Sequence, residues 1–221
     1  MVAAHCLPRA GAAAGTLLPY SRLQTPLSRP SRLLLPPPVN GTSIGQSVAI
    51  NYFIAQHTGL LGASPAEAAQ ILAFGEHVKE LRERYASLVP YGTEPSAAAL
   101  DAFFDSAEAA DATGPADASK RGARFLLWFM GRMERLVGED GFAVGGRLSL
   151  ADVLLFNAFA DSLTAEQALG DLPAHRREPF GSLARTQAAL AKHPRLARVV
   201  QGVAALPNMQ KWLSTRGKQG F

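Results

Sequence analysis

Cysteine is nearly absent from these 221 residues. Cys6 stands alone, which excludes an intrachain disulfide and a cysteine-ligated zinc site and fits a reducing compartment. None of the five histidines recurs at metal-ligand spacing, and His57 and His77 are too far apart to share a helix face, so no metal is expected. No apolar run approaches the ~18 residues of a membrane-spanning helix, and no membrane partner is expected. Acidic residues are missing from positions 1–66, which carry Arg9, Arg22, Arg29 and Arg32. The net charge of +4 (22 basic less 18 acidic) therefore sits wholly in the leading segment, and the chain from Glu67 onward is neutral. A nucleic-acid face needs basic residues clustered on a folded surface, so no nucleic-acid partner is expected.

Strand formers are scarce too. Across residues 64–137 only six of 74 positions are Val, Ile or Thr, which leaves helix as the default. One β signal stands out, Val39-Asn40-Gly41-Thr42-Ser43-Ile44, where Asn-Gly suits a tight hairpin turn. Residues 1–38 hold seven of the 15 prolines, including Pro36-Pro37-Pro38, and neither a helix nor a central strand can run through them. An acid-free, Arg- and Ser-bearing leader of this kind reads as an organelle transit peptide, a disordered tail or a misassigned first exon.

Helix signals follow in order. Ser64-Pro65-Ala66-Glu67 predicts a capped start, with Glu67 closing a capping box. Ile71, Phe74, Val78, Leu81, Tyr85 and Leu88 then recur on one stripe. Residues 92–115 read as a loop with one short helix. A second stripe, Phe125, Trp128, Phe129, Arg132, Met133 and Leu136, stops at Gly138. Ser149 and Asp152 form the cap of an apolar helix expected to reach about Leu163, with Leu148 and Val153 as a hydrophobic staple. Residues 164–192 read as a polar connection with partial helix. Pro194 opens a helix to about Leu206, and Pro207 precedes a last one carrying Met209, Trp212 and Leu213.

Gly45-Gln46-Ser47-Val48-Ala49-Ile50, placed after a hairpin, resembles the glutathione transferase family, closest to its sigma (prostaglandin D synthase-like) class. The resemblance runs over about residues 36–217. It continues through Gly59-Leu60-Leu61-Gly62, Val144-Gly145-Gly146-Arg147-Leu148-Ser149-Leu150-Ala151-Asp152, His193-Pro194-Arg195-Leu196, Leu206-Pro207 and Trp212-Leu213-Ser214-Thr215-Arg216. It implies a mainly α fold in three parts. Residues 1–38 are a disordered head, 39–62 a remnant β-hairpin of a thioredoxin-like lobe, and 63–217 the C-terminal helical bundle.

It also implies glutathione as co-substrate, a hydrophobic electrophile as partner, a possible homodimer and a cytoplasmic site, with organelle targeting through the head as the alternative. Gln46 and Ser47 would hold the γ-glutamyl carboxylate, a role that suits a helix tip with unpaired N–H groups. Glu80 would reach the glutathione amine of a neighbouring subunit; read from the residues alone, it is a solvated charge beside Lys79. Substrate contacts would fall on Arg82, Tyr85, Leu154 and Ala158, of which Tyr85 and Leu154 read equally well as core. A free thiol titrates near ~8.5, and lowering that by two units takes ~2.7 kcal/mol. The family draws this from a Tyr or Ser hydroxyl at the end of its first strand. In the corresponding leader Tyr20 and Ser21 are the hydroxyls in about the right region, flanked by Pro19 and Arg22, and Leu35 stands where the family has its cis-proline. The activity is thus glutathione conjugation if an activating hydroxyl is present, and otherwise non-catalytic binding of glutathione or a protein.

Overall fold

The computed structural model describes residues 44–104, 125–160 and 178–215. The leader, nearly all of the expected hairpin, and Tyr20, Ser21 and Leu35 lie outside the described residues, as do 105–124 and 161–177. Among the described residues there are eight α-helices, one 3-10 turn and no strand. The helices are α1 Ser47–His57, α2 Pro65–Leu88, α3 Ala97–Phe104, α4 Phe125–Leu136, α5 Leu150–Phe159, α6 Leu183–Leu190, α7 Pro194–Ala204 and α8 Pro207–Thr215. The 3-10 turn, Pro179–Gly181, precedes α6.

Helix α5 is the axis of the bundle. Seven of its ten residues are buried, and it packs chiefly on α2 and α7. Its apolar composition on all sides is that of a helix surrounded by others. It is shorter than its sequence suggests, because Ala160 leaves the helical basin (φ −136°, ψ 0°) and ends it at Phe159. The start of α5 is fixed by Asp152. One carboxylate oxygen accepts from the Ser149 N–H at 2.7 Å and the Ser149 hydroxyl at 2.5 Å, and the other from the Ala143 N–H at 2.7 Å.

On α2, Ile71, Phe74, Val78 and Leu81 are buried as the stripe requires. Ser64 accepts from the Glu67 N–H at 3.2 Å. Glu67 does not close the reciprocal half of that box. Its carboxylate accepts from the Ala63 N–H at 2.7 Å, one residue before the cap, and from Arg147 at 2.6 Å. A Cβ on Gly62 or Gly145, both at positive φ, would come within 2.8 Å of Glu67, so these two glycines make room for that bridge.

The α4 stripe is corrected as well. Leu126, Phe129, Met130, Met133 and Val137 face the core, whereas Trp128 and Leu136 are about half exposed. Residues 125–130 are all apolar, so two adjacent faces satisfy the helical period and packing selects one. Below α2, the rings of Tyr85, Phe103, Phe159 and Phe180 form one cluster. Phe180 enters it from the left-handed region (φ 50°, ψ 35°).

Candidate functional site

Helix α1 is composed like a buried helix and placed like a surface one. Of its eleven residues only Ala55 is buried, while Val48, Tyr52 and Ile54 are 44%, 40% and 51% exposed. The Gly59-Leu60-Leu61-Gly62 stretch holds it in position. The Leu60 N–H bonds to the Ala55 carbonyl at 2.8 Å, and the Leu60 carbonyl takes the Leu150 N–H at 2.9 Å. The end of α1 is thereby anchored to the beginning of α5, and its N-terminal tip projects over a cleft.

The cleft is a cavity of about 1080 Å³ between α1, α2, α5 and α8. Ser47, Val48 and Asn51 form one side. From α2 come Leu72, Gly75, Lys79 and Arg82, and from α5 come Val153, Leu154 and Asn157. Leu206, Met209 and Trp212 close the far end. The walls are mostly aliphatic, and the polar groups gather along α2. Lys79 lies 3.8 Å from Glu76 and 4.0 Å from Glu83, in ion pairs that are more than half exposed and so contribute little to stability. Arg82 donates to the Asn157 side-chain oxygen, joining α2 to α5 across the cleft. Such a cleft suits an apolar molecule with a few hydrogen-bonding groups.

At the rim, Gln46 is the N-cap of α1 with φ 68° and ψ 126°, a conformation rare for a residue with a Cβ. Its side chain makes no capping bond. The N–H groups of the first turn precede the first i→i−4 bond, which runs from Ile50 N to Gln46 O, so they can donate to an outside acceptor. Both Gln46 and Ser47 are exposed, and Ser47 also lines the cleft.

The candidate residues are distributed unevenly over this geometry. Ser47, Arg82 and Leu154 meet in the cleft, and Gln46 stands beside its mouth. Glu80 is on the next face of α2, beside His77, whose pKa is lowered by burial and by Arg132, with the Glu80 charge offsetting a part. Tyr85 faces the opposite way, its ring 5.1 Å from Phe103 and 5.5 Å from Phe180, and burial raises its hydroxyl pKa. Ala158 is buried in the core. Neither Tyr85 nor Ala158 lines the cleft; a helix turns 100° per residue, and the α5 residue beside Ala158 that faces the cavity is Asn157. Ser149 and Asp152 are buried at the base of α5, where they close a capping box. Asn157, Met209 and Trp212 went unrecognised in the sequence. A polar side chain inside the apolar run 153–159 was the available signal for Asn157.

The described lining residues include the Ser47 hydroxyl, the Lys79 and Arg82 cations and the Asn51 and Asn157 amides, and no His, Cys or Tyr. No cluster of His, Cys, Asp or Glu able to hold a metal occurs among the described residues, and no described helix is long and apolar enough to cross a membrane.

Residues 117–216 match the family model described as the glutathione S-transferase C-terminal domain. The structure is similar to Na-GST-3, a monomeric glutathione S-transferase of the hookworm Necator americanus. That match has 19% identity and a TM-score of 0.53, and covers 83% of this chain and 74% of the other. It is also similar to a Nu-class glutathione S-transferase of Haemonchus contortus, at 18% identity and a TM-score of 0.54, covering 82% and 72%. Prostaglandin synthase D of Nilaparvata lugens is matched at 14% identity and a TM-score of 0.50, covering 82% and 73%. At these identities the likeness speaks for the fold alone.

Proposed function

From the C-terminal helical domain of the glutathione S-transferase family that this chain carries, we propose a sigma-like glutathione-binding protein that works at the α1 tip and the cleft beneath it. The γ-glutamyl carboxylate of glutathione rests on Gln46 and Ser47, taking hydrogen bonds from the Ser47 hydroxyl and the first-turn N–H groups. The positive end of the helix dipole favours that charge. The observation that carries the reading is the uncapped tip of α1, held in a strained backbone conformation at the mouth of an apolar cavity. A strain of ~1–3 kcal/mol persists where the surroundings or a ligand require it.

In the transferase reading, a hydrophobic electrophile occupies the cleft against Leu154, with Arg82 and Asn157 as its polar contacts. The glutathione sulfur attacks it, a carbon–sulfur bond forms, and the leaving group departs while the thiol proton passes to solvent. Glu80 acts toward a neighbouring subunit's glutathione amine only if a homodimer forms. Residues 39–62 serve as the remnant of the thioredoxin-like lobe and 63–217 as the helical domain, in the cytoplasm or, through residues 1–38, in an organelle.

A second reading is favoured by the mostly aliphatic lining, which suits an apolar ligand that is held without reacting. In that reading the cleft binds without turnover. Calorimetry with glutathione, and conjugation to a chloro-dinitrobenzene, separate the two. Ser47→Ala is expected to weaken glutathione about tenfold, equivalent to ~1.4 kcal/mol. Binding without conjugation selects the module, and no glutathione binding by the unaltered chain refutes both readings of the tip.

A further inference from the structure

We propose that Gly75 is a specificity-determining residue of the cleft, its bare backbone forming a flat floor on which a planar ring is held in preference to a flexible chain. The inference rests on the reading of the cleft as the seat of an apolar molecule and deepens it to a shape. It does not depend on glutathione.

Gly75 lies in the interior of α2, well away from either end of Pro65–Leu88. Glycine at such a position weakens a helix relative to alanine by a factor of ~5, because it gives up the most backbone freedom on ordering. Two structural needs can justify that loss, and neither operates here. One is a left-handed backbone, and Gly75 is not among the glycines at positive φ. The other is the close approach of a neighbour. A Cβ at position 75 would meet a single atom within 4 Å, Leu154 Cδ1, at the ordinary contact distance of 3.4 Å. Alanine would fit. What it would take away is room in the cavity, since Gly75 lines the cleft.

The surroundings give that room a form. Leu72, Gly75, Lys79, Arg82 and Ala86 follow one another at three- and four-residue steps, and all five line the cleft. Gly75 is the member without a side chain, so the floor drops to the backbone between Leu72 and Lys79, over about 10 Å at 1.5 Å per residue. Leu154 bounds this depression from α5. Lys79 pairs with Glu76 and Glu83 and is more than half exposed, which leaves its charge at the edge and the depression apolar.

Over such a floor the attraction is dispersion, and a gap of ~0.5–1 Å forfeits about a quarter to a half of each contact. A rigid ring meets the floor with many atoms at once, and a methyl group rising from position 75 would lift all of them together. A flexible chain rotates one bond and steps past the same methyl. The bare backbone therefore favours the ring.

The test is calorimetric titration of the full chain with 2-naphthol and 1-octanol, two neutral alcohols that differ in shape. Gly75→Ala should weaken 2-naphthol about fivefold through the lost contacts, and leave 1-octanol within about twofold. The same variant should melt ~2–4 °C higher, as a helix relieved of an interior glycine does. Gly131→Ala is the control. Gly131 is interior to α4, does not line the cleft, and its Cβ would come no closer than 3.8 Å to a neighbour, so that variant should leave both affinities unchanged. Equal effects of Gly75→Ala on the two alcohols, or none on either, overturn the proposal, and so does a lower Tm, which would make the glycine a packing requirement. If the unaltered chain binds 1-octanol and not 2-naphthol, the ring preference fails while the apolar cleft stands. If it binds neither, both fail.

Discussion

Removing the Asp152 carboxylate should destabilise the helical domain more than removing any solvent-facing charge. Asp152 is 0% exposed and accepts three hydrogen bonds, two from backbone N–H groups and one from the Ser149 hydroxyl. In Asp152→Ala the hydroxyl can rotate toward another acceptor, but the Ala143 and Ser149 N–H groups cannot. Each unsatisfied buried donor costs ~1–3 kcal/mol. The desolvation that the buried carboxylate itself suffers offsets part of the total, leaving a loss of ~3 kcal/mol. For a domain of this size that corresponds to a drop in Tm of ~6–12 °C, readable by circular dichroism. Asp152→Asn keeps one oxygen but turns an NH2 toward one of the two donors, so it should fall between. Burial is the largest influence on Asp152 and raises its pKa, while the bonds from Ser149 and Ala143 pull the other way. A raised folded-state pKa means the carboxyl contributes most below its unfolded value of 3.8 and less as pH rises through the folded value. The gap between wild type and Asp152→Ala should accordingly narrow from acid toward neutral pH. A loss under ~0.5 kcal/mol for the alanine variant, the range of an ordinary surface change, would refute the reasoning.

Other consequences are open to direct measurement. His77 and His193 have lowered pKa values because burial disfavours their cationic forms. Their contribution to stability is present above pH 6.5 and lost as pH falls through the folded-state values, so urea midpoints should decline on acidification, and less so in His77→Gln. Gly145→Ala would push a methyl against the Glu67 carboxylate at a φ of +69°, and should lower Tm although no apolar surface is lost. Phe180→Ala should cost ~3 kcal/mol in chemical denaturation, because the ring is buried among Tyr85, Phe103 and Phe159. Asn157→Ala should alter the affinity of an apolar probe in the cleft while leaving the core intact, whereas Ala158→Phe should lower Tm by overpacking.

The fold was legible where local chemistry is decisive. Ser64-Pro65, Ser149 with Asp152, Pro194 and Pro207 each mark a helix start whose capping or φ preference is independent of the rest of the chain. The spacing of Ile71, Phe74, Val78 and Leu81 identifies a buried face because the residues between them are mostly small or polar. Neither cue works on α4, where six successive apolar residues make the period ambiguous and only the neighbouring helices α2, α3 and α7 choose the face. Glu67 shows a similar limit. Its spacing from Ser64 fits a capping box, yet Arg147, 80 residues away, draws the carboxylate to a different bond.

The site was harder to read than the fold because a cleft is a property of several helices at once. Position 157 and position 158 differ by one residue and by 100° of helix rotation, so the register of α5 against α2 decides which of them meets a ligand. On α2 the same rotation separates Arg82, in the cleft, from Tyr85, in the aromatic cluster. Residue type carries no trace of that choice where either neighbour could pack. It does carry a trace where composition and burial disagree. Helix α1 has the residues of a buried element and the exposure of a surface one. That mismatch, more than any motif, marks the face formed by Val48 and Tyr52 as one suited to contact with another surface.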